Sequence, residues 1–220
     1  SGAGSVGEGW GNGKATAVLM ARQGAKVCGL DLNAEALSAT TEILKAEGLS
    51  ANWLPLACDM TASADIENAV ASCVSHFGRI DILVNNVGGS APGDPVSMSE
   101  DVWKQQLDFN LTTAFLGCKH VIPFMLRQFE ESGKGGAIVN IGSVGSMTFQ
   151  LGGRVSAGYA ASKAGLVAFG RSTAIAYVQK GIRVNTVIPG SMHTPLVEHR
   201  LVKQPGAGEA EKLIASRHAA

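Results

Sequence analysis

A doubly wound parallel α/β sheet is the fold class this sequence predicts, and three observations predict it. Short apolar runs alternate with longer segments whose apolar positions repeat at helical spacing. A glycine-rich stretch over the first thirteen residues opens directly into the first of those helical segments. Polar residues fall where the apolar runs end: Asp31, Asp59, Asn85 with Asn86, Ser143, and Pro189 with Gly190. Ligands of such sheets sit beyond the carboxyl ends of the strands, so these endings together mark a site.

Gly13 to Gln23 reads as a helix, with Ala17, Val18, Met20 and Ala21 among its apolar positions and Gly24 to end it. Ala25 to Leu30 is a strand closed by Asp31, and Ala34 to Glu47 a helix stopped at Gly48. Asn52 to Ala57 is the next apolar run, followed by Asp59 and a helix from Ala62 to Phe77. Ile80 to Val84 is apolar apart from Asp81, the composition of a buried central strand. Ser99 is placed to cap a long helix with Glu100 and Asp101 in its first turn. That helix runs to Glu130 and contains Pro123, a candidate kink. Ala137 to Ile141 is a strand, Ser156 to Lys180 a helix, and Ile182 to Ile188 a strand. No repeat or long linker interrupts the order, and one domain is expected.

Composition narrows the function. The chain has 220 residues, of which 45% are hydrophobic and 16% charged, the reverse of a disordered chain. Eighteen basic residues balance eighteen acidic ones, so charge gives no case for nucleic acid or an anionic membrane as partner. The most apolar helical stretch, Tyr159 to Val178, carries Lys163 and Arg171, which argues against a membrane span. Cys28, Cys58, Cys73 and Cys118 lack metal-ligand spacing and read as buried thiols of a reducing cytoplasm; no metal site is expected.

The 28 glycines are the compositional anomaly, and they crowd the turn before the first helix. Glycines there let backbone amides approach a pyrophosphate, whose charge the helix N-terminus favours. Asp31 follows Gly13 by eighteen residues, at a strand end where a carboxylate can accept both ribose hydroxyls. A carboxylate there repels a 2′-phosphate and argues for NAD over NADP; its other available role is to cap the helix at Ala34. Tyr159 and Lys163 are four apart on one helix face. A phenol is a poor base at neutral pH, and a lysine cation beside it favours the phenolate. Ser143, at a strand end, could donate to a substrate carbonyl oxygen.

Taken together, Gly11-Asn12-Gly13, Asp59, Asn85-Asn86-Val87-Gly88, Asn110, Ser143, Tyr159-Ala160-Ala161-Ser162-Lys163 and Pro189-Gly190 resemble the short-chain dehydrogenases/reductases. The chain is similar to that family's classical branch over nearly its whole length. The resemblance implies a Rossmann-like domain over residues 1–220 that moves a hydride between NAD(H) and a secondary alcohol or ketone. It implies Tyr159 as the catalytic acid/base, with Lys163 to favour the phenolate and bind the nicotinamide ribose. Ser143 would orient the carbonyl, with Ser146 in reserve, and Asn110 would bind a water linking Lys163 to solvent. Asp59, with Met60 beside it, would meet the adenine, and Asp31, with Leu32 beside it, the ribose. Gly2, Gly11, Asn12 and Gly13 would line the pyrophosphate turn, with Asn86 and Gly88 beside it. Pro189, Gly190 and Thr194 would reach the nicotinamide. His193 would lie beside it and could touch substrate. Family members assemble as dimers or tetramers through two long helices, here Ser99 to Glu130 and Ser156 to Lys180. A non-catalytic dinucleotide-binding or sensing protein on the same fold, or an NADP-dependent reductase, are the alternatives.

Two departures from the family pattern stand out: an insertion in the glycine turn, and the sixteen-residue spacing from Ser143 to Tyr159, a little longer than usual. Five extra residues, Val6 to Trp10, lie between the first glycine of the turn and Gly11. They could form a flap that places Trp10 over the cofactor or pocket entrance, or Trp10 could pack on the neighbouring surface. The family also begins with a strand before the glycine turn and ends with a further helix and strand. The expectation is a domain incomplete at both ends, with open sheet edges beside the strands at Ala25 and Ile80. These 220 residues are then expected to fold poorly on their own.

Overall fold

The computed structural model describes residues 1–5, 7, 9–148, 155–190, 192 and 194–197. They form two compact units, one of Gly2–Ala57 with Gly190–Ala220, the other of Ser1 with Cys58–Pro189.

In the first unit the order is α1 (Asn12–Arg22), β1 (Val27–Asp31), α2 (Ala34–Ala46) and β2 (Trp53–Ala57). β1 and β2 pair in parallel from Val27 opposite Trp53 to Asp31 opposite Ala57, with α2 as the crossover. α2 starts where Asn33 accepts from the amides of Glu35 and Ala36, with Glu35 in its first turn. α1 differs: it starts on Gly11, with no side-chain cap and no acidic residue in its first turn. The expected stops are present, since Gly24 and Gly48 take φ of +84° and +71° just past α1 and α2. Val18, Ala21, Leu37, Leu44 and Trp53 close the core. The Trp53 indole lies across Gly29 of β1, where a side chain would overlap the ring, and its Nε1 donates to Thr41 Oγ1 at 2.7 Å.

The second unit contains α3 (Ser63–Phe77), β3 (Ile82–Asn85), α4 (Glu100–Leu107), α5 (Thr113–Ser132), β4 (Gly136–Ile141), α6 (Ala157–Tyr177) and β5 (Ile182–Val187). β3, β4 and β5 form a parallel three-stranded sheet. Ser99 caps α4 as expected, accepting from the Val102 amide. The long helix is not uniform, because a π turn over Asp108–Thr112 joins α4 to α5. Pro123 is retained inside α5. Met125, Ile138, Leu166 and Ile182 are fully buried, each contributing about 1.5–3 kcal/mol of burial.

The five strands among the described residues pair in parallel, as the alternation of apolar runs predicts, but in a two-stranded and a three-stranded sheet. The apolar composition of β3 predicts a buried central strand, whereas the open sheet edge expected beside Ile80 predicts an exposed one. It is an edge strand here, pairing only with β4 among the described residues, and Ile82 is 48% exposed. A strand is covered along both sides only when it has two neighbours. No helix among the described residues is long and apolar enough to cross a membrane.

Replacing Gly29 by alanine drives Trp53 out of its place and breaks its bond to Thr41. We expect Gly29→Ala to cost about 3 kcal/mol in denaturant unfolding, with red-shifted tryptophan emission. An unchanged midpoint would contradict this packing.

Candidate active site

The best-defined polar cluster is built on α6, β4 and the π turn. Tyr159 and Lys163 are one turn apart on α6, as their spacing dictates, with Lys163 Nζ 5.9 Å from the centre of the Tyr159 ring. Lys163 is 3% exposed, and its ammonium donates to the Ile141 carbonyl at the end of β4 at 2.7 Å. Burial pushes this ammonium down to about 8, because desolvation penalises the charged form.

Asn110 is 1% exposed in the π turn. Its Oδ1 accepts from the Gly89 amide at 2.8 Å, while its Nδ2 donates to the carbonyls of Gly89 and Gln106, both at 2.9 Å. The side chain therefore grips the chain that follows β3. Gly88 explains why that chain comes so close: a Cβ there would be 2.8 Å from Asn110 Oδ1 and 2.9 Å from Lys163 Nζ. Asn110, Lys163 and Gly88 thus meet at one point. π turns occur often at functional sites, and a polar residue in mid-helix is the sequence signal for this one.

Ser143 follows β4 and is nearly buried. Its Oγ accepts from the Gly145 amide at 3.1 Å, which leaves the hydroxyl proton available to an outside oxygen. Ser146, the reserve candidate, instead donates its hydroxyl to the Ser143 carbonyl at 2.6 Å. The Val144 amide donates to the Pro189 carbonyl, bringing Pro189 beside this turn.

Two residues of this cluster escaped the sequence reading. Gln106 Oε1 accepts from the Ala91 amide at 3.0 Å, and Ser156 Oγ donates to the Ala91 carbonyl at 2.5 Å. Together with Asn110 they hold residues 89–91 by three side chains. Gln106 precedes Asn110 by four residues, so a polar pair on one helix face was the available signal. At the base, Asn85 Nδ2 donates to Asn140 Oδ1 at 2.9 Å, joining β3 to β4. Asn86 donates to the Ser1 carbonyl at 3.2 Å. Asp59 Oδ1 accepts from the hydroxyl and amide of Thr61, which hold its carboxyl below the usual range. The Met60 side chain is buried, and its sulfur accepts from the Cys58 thiol at 3.8 Å.

The other unit carries the glycine turn. Ser5 and Gly11 are side by side, with Ser5 Oγ 3.3 Å from where a Gly11 Cβ would be. The chain thus leaves the turn at Ser5 and is back at Gly11, so Gly2 to Ser5 and Gly11 to Gly13 make up one turn. Gly2 has φ of +64°. Asp31 Oδ2 accepts from the Gly4 amide and Oδ1 from the Asn33 amide, both at 2.9 Å. Asn33, not Asp31, caps α2. Leu32 beside it is 72% exposed. Gly190 borders open space, and Thr194 accepts from the Val197 amide at 2.9 Å. Val6, Glu8, His193, residues 149–154, Ser191 and residues 198–220 are outside the described residues.

The glycine turn fits a dinucleotide. α1 leaves its first-turn amides without a side-chain acceptor, and no acid in the first helical turn repels an anion. Gly88 likewise keeps backbone, not side chain, beside Lys163.

Comparison with known proteins agrees. Residues 5–204 match the family model described as short chain dehydrogenase. A 3-oxoacyl-(acyl-carrier-protein) reductase of Thermotoga maritima is 36% identical over 188 residues, 86% of this chain and 72% of that protein. Levodione reductase of Leifsonia aquatica is 34% identical over 197 residues, 89% of this chain and 71% of that one. Among solved structures, a short-chain dehydrogenase/reductase from Burkholderia xenovorans has a TM-score of 0.90 at 46% identity, covering 99% of this chain and 79% of its own.

Lys163 has a measurable cost. Its folded-state value near 8 is below the ordinary lysine value of 10.5, so the unfolded chain binds more protons between the two. Stability therefore rises with pH through that window, by about 3 kcal/mol in all. We expect Lys163→Met to melt at a higher temperature than the native protein at pH 7, with the gain shrinking towards pH 10. A variant less stable at pH 7 would contradict the burial of an ammonium here.

Proposed function

Because this chain belongs to the short chain dehydrogenase family and is an oxidoreductase acting on CH–OH or keto groups, we propose that it carries a hydride between NAD(H) and a secondary alcohol or ketone of modest polarity. The observation that carries the reading is the Lys163 ammonium, buried one helical turn from Tyr159 and held at the Ile141 carbonyl. Binding alone needs no such arrangement, which favours an enzyme over a dinucleotide sensor.

The bound nicotinamide supplies the hydride acceptor or donor. The chain's own groups manage the oxygen of the substrate. Ser143, whose oxygen already accepts from Gly145, donates its proton to that oxygen and fixes its direction. Tyr159 gives or takes the proton at the same oxygen as the C–O bond changes order. Lys163, charged below about pH 8, stabilises the negative phenolic oxygen. Asn110 holds Gly89, and so keeps the chain beside Gly88 close to Lys163. A water on Asn110 that relays protons from Lys163 belongs to this proposal.

For the cofactor we assign Gly2, Gly11, Asn12 and Gly13 to the pyrophosphate, Asp31 with Leu32 to the ribose, and Asp59 with Met60 to the adenine. We also assign Asn86 and Gly88 to the adenosine and pyrophosphate, and Pro189, Gly190 and Thr194 to the nicotinamide. Asp31 supports NAD over NADP, because its carboxylate is held in place by the amides of Gly4 and Asn33. We further propose that residues 1–220 act as one dinucleotide-binding domain in the cytoplasm. An oligomer would form through the face of α5 and α6 that exposes Phe115 and Ile175.

A ketone panel with NADH tests the proposal. Tyr159→Phe is expected to lower turnover about a thousandfold while still binding cofactor; equal turnover would favour a binding protein. Asp31→Ala is expected to erase the preference for NAD over NADP, as read from the two dissociation constants. An unchanged preference would remove Asp31 from the ribose.

A further inference from the structure

The expanded glycine turn has its own fastening. Lys14, in the first turn of α1, is buried, and its Nζ donates to the Gly9 carbonyl at 3.1 Å. The same ammonium lies 5.4 Å from the centre of the Trp10 ring, a cation–π contact. Gly9 takes φ of +110°, a conformation open to glycine and strained for other residues. Its backbone packs on Pro195, such that a side chain at Gly9 would come within 3.0 Å of Pro195 Cγ. Pro195 belongs to the turn closed by the Val197 amide donating to the Thr194 carbonyl. Trp10 is 47% exposed.

We propose that Lys14 is a positioning residue that ties the pyrophosphate turn to the Thr194–Val197 turn by holding Trp10 and clamping Gly9 against Pro195. The proposal rests on the reading that the glycine turn and Thr194 serve opposite ends of one dinucleotide. Order at residues 194–197 and affinity for the cofactor then rise and fall together, because one ammonium secures both. This gives the inserted residues Gly9 and Trp10 a purpose: they are the length of chain needed to reach Pro195 while Ser5 and Gly11 stay adjacent. A regular turn has no residue to spare for that reach.

Amide hydrogen exchange on the full-length protein, without cofactor, tests the clamp directly. In Lys14→Met, which keeps the stem and loses the ammonium, exchange over residues 194–197 is expected to quicken about tenfold, with exchange over α2 unchanged. Lys14→Arg keeps a cation and N–H donors and is expected to stay within about twofold of native. NAD titration of the same variants should show Lys14→Met about fivefold weaker and Lys14→Arg near native. Unchanged exchange over 194–197 in Lys14→Met overturns the clamp whatever the cofactor does. Faster exchange with undiminished NAD affinity overturns its coupling to the cofactor. A native protein that binds neither NAD nor NADP overturns the reading beneath it instead, and the exchange result separates the two.

Discussion

A lysine ammonium withdrawn from water is the constraint around which the second unit is organised. Desolvation works against the charge of Lys163, and the protein answers with the Ile141 carbonyl and with the absence of a side chain at residue 88. Each of these answers imposes another condition. The carbonyl must be at the end of β4, which fixes how α6 lies along the sheet. The bare backbone at Gly88 must be drawn in close, which requires Asn110 to hold Gly89 at both its amide and its carbonyl. Asn110 can do so only from the π turn, where its Nδ2 also reaches the Gln106 carbonyl.

The same economy governs the other unit. Asp31 is held by two backbone amides, one from the glycine turn and one from Asn33, so a carboxylate at the surface has little freedom to turn. Asn33 takes over the capping of α2 and so releases Asp31 from that duty. Trp53 is locked by the lack of a side chain at Gly29 and by Thr41. In each case a small residue leaves a space and a polar group aims what fills it. Packing alone would hold these parts with less definition, because apolar contacts have no direction.

What could be read in advance was local. The four-residue spacing of Tyr159 and Lys163 places them on one helix face whatever the tertiary structure. Ser99 ahead of Glu100 and Asp101 is a capping signal complete in three residues, and Gly24 and Gly48 announce their helix ends. Asn110 was legible as a misfit in a helix, but the π turn that resolves the misfit depends on Gly89, twenty-one residues away. Gln106 and Ser156 escaped because their target, Ala91, is in a loop with no pattern of its own. Asp31 had two possible duties by sequence, and the cap of α2 falls to Asn33 instead. The exposure of Ile82 in β3 is not legible in its apolar run, which does not state how many neighbours the strand will have; only the open edge expected beside Ile80 pointed to it.

The π turn between α4 and α5 has a consequence for the helix as a whole. Each residue of an α-helix turns the chain by about 100°, so one extra residue accommodated in a wider turn shifts the azimuth of everything after it. The segment from Ser99 to Ser132 is therefore one rod with two phases. Its first half aims Gln106 at the loop after β3, while its second half independently sets Gly117 and Cys118 against Asn85. A helix of single phase would have to satisfy the loop or the sheet with one stripe. Here the two surfaces are indexed separately, and Asn110 is the vernier between them.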